Sequence, residues 1–545
     1  MQNNYKGIIN TDRKLLLTVS KSLIVGILAG LAVVAYRWLL GQAEHVSFQI
    51  YDAVRGSLPQ TALLFCALIG CGAFIGLLVR RFPLISGSGI PQVKGIMLGY
   101  LDNRWLPTLI AKFFGGALCI VSGLSLGREG PSIQLGACVA DGFASKYGAT
   151  RMEKKILMAS GASAGLAAAF NAPLAGVIFT LEEIFKYFSP TILLSAMTAA
   201  VSADFVAKCV FGLAPVFHFP VEDVLPLRCY WLLPLLGILL GAAGAVYNTG
   251  LLFGQRAYGK AAFIPEWLRP VIPFVCAGIL GLVYPVVLGG GHELLSLLTP
   301  ETGLFVLFAA LLIKFLFSVI SFGSSAPGGI FFPLLVMGAS LGAIFGHAAV
   351  GSLALESSLF YNFIILAMAG LFASIVRAPI TGIILIIEMT GSLSHLLSLT
   401  VVSLISCLTA DLLKSRPIYD SLLARLVKKN HRSVSAGKLR GKERTTENNA
   451  ADNAAEAGGT ADEDAAGAKT TIEVIVHLNS PAAGKAIRDL PWPPQCLLIA
   501  LKRDGKEIIP KGDTVIRPED YLICLIPLAA EAEIRKNLRH LVERD

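Results

Sequence analysis

Charge is scarce in this sequence. Asp, Glu, Lys and Arg make up 15% of it, against 54% apolar residues and a mean hydropathy of +0.66. That balance excludes a water-soluble chain with one core, because 545 residues so composed carry more apolar surface than a single core can bury. CxxC pairs are also missing. The ten cysteines lie apart, mostly in apolar stretches (Cys66, Cys71, Cys276, Cys407), so buried free thiols are expected rather than disulfides, zinc or any other metal site. No small-residue cleavage site follows the first apolar run, which is too long for a signal peptide and reads as a retained helix. A compact basic face with interleaved aromatics is lacking too, so the net charge of +9 does not point to nucleic acid. There is no TVGYG-like string, which removes the filter a potassium channel needs.

What the sequence has is apolar stretches, recurring from Ser22–Leu40 to Leu396–Leu413. Several fall short of the roughly 20 residues that span a bilayer, and Gly and Pro interrupt them, so broken or re-entrant helices are expected. Lys6, Arg13, Lys14 and Lys21 precede the first stretch; Lys414, Arg416, Arg425, Lys428, Lys429 and Arg432 follow the last. By the positive-inside rule both termini lie in the cytoplasm, in a multi-pass protein of the inner (plasma) membrane. Composition changes at Ser433, and Glu443–Thr470 holds no large apolar residue, so 433–470 is expected to be a flexible linker. From Thr471 to the end, "TIEVIVHL" and "QCLLIALKRDGKEIIPKGDTVIRPEDYLICLIPL" predict short strands, with turns at Asp504-Gly505 and Lys511-Gly512-Asp513 and a helix over Ala529–Leu541. Residues 471–545 therefore predict a small cytoplasmic α+β domain.

The membrane part, residues 1–432, repeats itself. Lys112–Ala137 lies without a gap over Lys314–Ala339, with Gly127 on Gly329 and Pro131 on Pro333. Ala167–Glu183 lies over Ala373–Met389, with Pro173 on Pro379 and Glu182 on Glu388. Two related halves, about 20–215 and 230–427, are implied, an all-α architecture that places a transport site between them near the midplane.

Three Gly/Pro-punctuated strings carry the candidate chemistry: Gly87-Ser88-Gly89-Ile90-Pro91, Gly127-Arg128-Glu129-Gly130-Pro131, and Gly323–Pro333 with Gly328 and Gly329. In each, glycines turn a loop and a proline follows in the first turn of a helix, where a missing N–H costs nothing. Such helix starts present free amides and the positive dipole end, and three of them converging in a membrane would hold an anion without a full positive charge. One string alone reads more readily as tight helix packing, and it is three in a duplicated frame that favour the anion site. A carboxylate buried among them is expensive and marks function. Glu129 would compete with the anion for the same amides and leave when protonated. A static Arg128–Glu129 salt bridge is disfavoured, since sequence neighbours on a helix do not face each other. Glu182 and Glu183 end a helical run, Glu182 reading equally as a group simply solvated or capped at the helix end and Glu183 as a candidate proton acceptor. Ser125 and Ser163 match GxSxG, but no strand–turn–helix setting or nearby histidine supports a serine hydrolase, so no enzyme is expected.

With Tyr419 in "SRPIYDSLLAR", these strings in this order resemble the CLC family of chloride channels and proton-coupled chloride antiporters, over residues 20–427. The resemblance implies an inverted repeat and a homodimer in the lipid bilayer, each subunit with its own pathway and no cofactor besides chloride as bound substrate ion. It implies Ser88 and Tyr419 as hydroxyl ligands of chloride, Ile330 and Phe331 as amide donors, Glu129 as the gating glutamate and Glu183 as the inner proton-transfer glutamate. Channel members usually lack that glutamate, so the resemblance favours H+/Cl− antiport, with a passive chloride channel as the alternative. Ser88 resembles the chloride-preferring version, and Pro131 departs from the fluoride-exporting branch. Gln92 and Lys94 stand where many members are acidic; a lysine there favours the charged form of Glu183. Residues 471–541 resemble the C-terminal subdomain of RCK-type regulators (TrkA-C), which implies regulation by a small cytoplasmic ligand or by dimer contacts.

Overall fold

The computed structural model describes residues 2–429 and 469–542, apart from 187, 218, 220–223, 262–263, 354, 477–479, 504–505, 519 and 528–529. The predicted linker lies almost wholly outside the described residues, as does the predicted turn at Asp504-Gly505. Contacts divide the chain into two compact units, Met1–Gly437 and Lys438–Asp545.

The first unit is helical and its elements come in two matched series. The first series is α1 (Gln2–Val54), α2 (Leu58–Arg81), α3 (Ile90–Met97), α4 (Trp105–Val121), α5 (Glu129–Lys146), α6 (Arg151–Phe170), α7 (Pro173–Phe179) and α8 (Pro190–Phe211). The second is α9 (Leu232–Lys260), α10 (Val271–Val283), α11 (His292–Ser296), α12 (Leu304–Gly323), α13 (Phe331–Leu353), α14 (Phe360–Val376), α15 (Pro379–Thr390) and α16 (Leu396–Leu412). Eight helices among the described residues are long and apolar enough to cross a membrane. The expected broken elements are present: α3 has 8 residues, α11 has 5, and α7 has 7 before a π-helical turn over Thr180–Phe185. The first apolar stretch extends further than its hydropathy suggested, because no proline interrupts Gln2–Val54 and the helix runs past the apolar segment at both ends.

Two matched devices bear out the repeat, the first of them reciprocal. The Glu182 carboxylate accepts from the amides of Ile380 (3.2 Å) and Thr381 (2.8 Å) at the start of α15. The Glu388 carboxylate accepts from Leu174 (3.0 Å) and Ala175 (2.8 Å) at the start of α7. Each half thus caps a helix of the other, since neither Ala172 nor Ala378 at the N-cap has a side chain able to do so. Glu182 is a cap and not a solvated charge. Glu182→Ala is expected to lower stability by about 1–3 kcal/mol, the cost of half-buried amides left unpaired, read as a fall in melting temperature in detergent.

The second device is a pair of wholly buried lysines at matching positions. Lys112 Nζ donates to the carbonyls of Ile85 (2.8 Å) and Gly87 (2.6 Å). Lys314 Nζ donates to those of Val287 (2.9 Å) and Gly289 (2.8 Å). Each secures the glycine loop before a short helix, and the N-cap glycines Gly89 and Gly291 have φ of 100° and 103°, a left-handed conformation side chains resist.

The second unit is a sheet of order β1-β4-β2-β3, with β1 (Lys469–Ile475), β2 (Leu497–Arg503), β3 (Lys506–Ile508) and β4 (Tyr521–Pro527), antiparallel at every pairing. The helix Glu531–Val542 buries Ile534, Leu538 and Leu541 in one core with Ile472, Leu501, Leu522 and Ile526. Alternation along β4 supplies the inward face. Arg503 clamps Asp520 with two bonds of 2.7 Å, joining the end of β2 to the segment entering β4.

Candidate ion-binding site

The three Gly/Pro strings meet. Gly127 and Gly329 exchange two backbone hydrogen bonds of 2.7 Å, so the loops before α5 and α13 are joined. Gly87 donates to the Ala326 carbonyl at 3.2 Å and accepts from Gly328 at 3.1 Å, which ties the loop before α3 to the same place. Lys112 grips that loop from behind. The starts of α3, α5 and α13 are therefore fixed against one another, with Ile330 and Phe331 where the first amides of α13 have no partner within the helix. Pro91, Pro131 and Pro333 each sit in the first turn.

At this junction several buried polar atoms have no hydrogen-bond partner among the described residues: the Ser88 hydroxyl, the Tyr419 hydroxyl and both carboxylate oxygens of Glu129. Ser88 is 2% exposed, and Tyr419 and Glu129 are fully buried. An unpaired buried polar group costs about 1–3 kcal/mol, more when charged, so four such atoms at one junction mark a candidate binding site. Tyr419, on a helix over 418–429, packs edge-on to Phe179 at 6.5 Å; Phe179 in turn meets Phe331 at 6.2 Å. Phe331 also lies against Phe170 (5.2 Å) and Phe372 (4.7 Å), an apolar collar around the start of α13.

Two close approaches fix the small residues. A Cβ at Gly130 would collide with the Ser88 hydroxyl. One at Gly127 would lie 2.5 Å from Glu129 Oε2 and 3.1 Å from the Phe332 amide nitrogen, so the carboxylate is folded back beside the start of α13. If the Ser88 hydroxyl is an anion ligand, Gly130→Ala is expected to lower anion affinity at least about tenfold by titration calorimetry, since the methyl would push that hydroxyl out of place.

Arg128 differs from expectation. Its Nε comes to 3.8 Å from Glu129 Oε1, because Arg128 is the N-cap of α5 and outside the helix, where the rule for helical neighbours does not apply. At that distance the contact is an ion pair without a hydrogen bond, and neither atom has a hydrogen-bond partner among the described residues.

Glu183 sits on the π-helical turn after α7, its side chain 2% exposed, in ion contact with Lys94 Nζ at 3.0 Å. Lys94 also holds Asp420 at 2.5 Å, and Asp420 holds Lys186 at 2.5 Å. Lys94 and Glu183 stand out in the sequence; Asp420 and Lys186 do not, although Asp420 adjoins Tyr419. Lys112 and Lys314 align in the repeat, but only the carbonyls around each ammonium show that they serve as clamps. Of the GxSxG serines, Ser125 pairs with Ser318 at 2.8 Å and Ser163 lies inside α6, bonded to the Ala196 carbonyl at 3.5 Å.

Helix starts turned on buried hydroxyls, a buried carboxylate among them and a membrane-spanning duplicated frame define a multi-pass ion-transport protein. Residues 71–411 match the family described as voltage gated chloride channel, and residues 471–539 match the TrkA-C domain. The chain belongs to the voltage gated chloride channel (CLC) family, and its second unit carries a TrkA-C domain. It is similar to a Vibrio campbellii protein named H(+)/Cl(-) exchange transporter ClcA, 36% identical over 433 residues, 76% of this chain and 90% of the relative. A Vibrio cholerae serotype O1 protein of the same name is 38% identical over 426 residues, 75% and 89% of the two chains. The solved structure of a slow cyanobacterial Cl−/H+ antiporter matches with a TM-score of 0.71 at 29% identity, over 76% of this chain and 99% of that one. A CLC-type fluoride/proton antiporter shares the fold, with a TM-score of 0.60 at 23% identity over 74% and 97%.

Proposed function

We propose that this chain is a proton-coupled chloride antiporter in which the starts of α3, α5 and α13, with the Ser88 and Tyr419 hydroxyls and the amides of Ile330 and Phe331, hold chloride. Glu129 is the gate that takes the chloride's place when charged and leaves when protonated. Glu183 passes protons on the other side of the site. The observation that carries this reading is the set of unpaired buried polar atoms on Ser88, Tyr419 and Glu129 where three helix starts meet. Peptide dipoles hold a halide firmly enough to strip its water and weakly enough to let it go. The names of the similar proteins support the same assignment, and Ser88 with Pro131 supports chloride over nitrate or fluoride.

The same reading makes the protein a homodimer of the inner membrane with both termini in the cytoplasm, with a C-terminal domain that responds to a small ligand or to dimer contacts. It is a transporter and not an enzyme, with chloride and protons as cargo. A passive chloride channel is the second reading; the buried Glu183 argues against it, since a channel has no use for a carboxylate kept out of water at the inner side. The reversal potential of reconstituted liposomes under opposed chloride and pH gradients separates the two. Antiport requires a value that moves with the pH gradient, and one that follows chloride alone overturns the proposal.

A further inference from the structure

The loop Gly289-Gly290-Gly291-His292 lies 202 residues after Gly87-Ser88-Gly89-Ile90 and is held in the same way, by Lys314 where the first is held by Lys112. The first loop presents a serine to the chloride site. Its twin presents a histidine, and to a different place: a small pocket in front of the gate, lined among others by Glu44, Arg128, Glu129, His292 and Phe332. His292 stacks on Phe332 with ring centroids 4.1 Å apart, which fixes the plane of the imidazole. Its Nδ1 lies 3.5 Å from Glu44 Oε1, and Nδ1 has no hydrogen-bond partner among the described residues. The side chains of His292 and Glu44 are 37% and 24% exposed, whereas Glu129 is fully buried. The pocket therefore has a carboxylate at its floor and a half-open His–Glu pair at its mouth.

We propose that His292, oriented by Glu44, relays protons between the outer solution and the gate carboxylate Glu129; this rests on the gate assignment above. A protonated imidazole gives its proton to the Glu129 carboxylate through solvent in the pocket, becomes neutral, and takes the next proton from bulk; the reverse sequence releases a proton. An imidazole has two ring nitrogens, one able to take up a proton while the other gives one away, which is what a relay in both directions needs. The charged groups facing it are Glu44 from α1, Arg128 and Glu129 at the start of α5, and Lys314 from α12 behind the loop, while α13 contributes only the Phe332 ring. Glu293, next in the chain, is exposed. Arg128 and Lys314 keep the pocket from being wholly negative.

The test uses the full chain in liposomes, with coupled exchange measured from pH 5 to 8 on both sides. His292→Gln is expected to slow exchange at least about tenfold at pH 7, to erase the pH-dependent limb in this range, and to recover when millimolar free imidazole is added. Glu44→Gln is expected to slow exchange in the same direction. Chloride affinity by calorimetry, expected within about twofold of the parent, reports that the variants are folded. A His292→Gln protein with the parent's rate and profile overturns the relay, and so does a loss that imidazole does not restore and that leaves the profile's shape unchanged. Glu129→Gln run in parallel keeps the two ideas apart. If it retains proton flux, the gate assignment fails; if it uncouples while His292→Gln is silent, only the relay fails.

Discussion

Replacing Glu129 with glutamine is expected to abolish proton transport while chloride continues to cross. The amide keeps the shape of a protonated carboxyl but carries no titratable proton, and it cannot compete as an anion for the helix-start amides beside which the carboxylate lies. Chloride occupancy should rise, since the competitor has been removed. If Glu129 is the gate proposed above, exchange by the parent protein is expected to speed up as pH falls, and in the variant that dependence is expected to disappear. Proton flux should drop by about 100-fold or more, the range a positioned acid–base group contributes, with the reversal potential reverting to the chloride value. A variant that still pumps protons would remove Glu129 from the cycle.

The second large effect is expected at Lys94. Its ammonium lies 3.0 Å from Glu183 and 2.5 Å from Asp420 in a site where its own side chain is 6% exposed. Lys94→Met removes the partner of Glu183, whose side chain is 2% exposed, and leaves a buried carboxylate uncompensated. Breaking a buried pair from one side costs about 3–5 kcal/mol. Asp420 suffers less, because Lys186 remains 2.5 Å away and Asp420 is 38% exposed. Adding Glu183→Gln to Lys94→Met removes the stranded charge, so the double variant should regain most of the lost stability. A double-mutant cycle read by thermal denaturation in detergent measures that coupling, and strictly additive effects would show that the pair does not interact. Proton transport should be lost in every variant lacking Glu183.

Much of this architecture is legible in the residues. Gly and Pro in duplicated frames mark the helix starts, because a turn needs one and a first helical turn tolerates the other, and the pairing of Pro173 with Pro379 anticipates the matched series α7 and α15. Glu129 is legible because a carboxylate in apolar surroundings is too costly to keep without a use. What escapes depends on tertiary contact. Lys112 and Lys314 look like stray charges until the carbonyls around each ammonium are seen. Glu44 and His292, 248 residues apart, carry no shared pattern that would join them. Arg128 departs from the expected geometry because the helix begins one residue after it, and that boundary changes which rule applies. The extent of α1 is hidden for the opposite reason: hydropathy finds the part of a helix that lies in lipid, and backbone hydrogen bonding carries it beyond.

The crossed carboxylates of Glu182 and Glu388 bear on how the chain comes to be assembled. Each seals the opening turn of a segment that belongs to the other copy, 198 and 213 residues away for the nearest bonds. Neither copy is finished by itself, so the first to be synthesised must wait in the bilayer with α7 unsealed until the second arrives. Two separate molecules each carrying one copy would meet the same requirement by pairing about a two-fold axis, each sealing the other's helix.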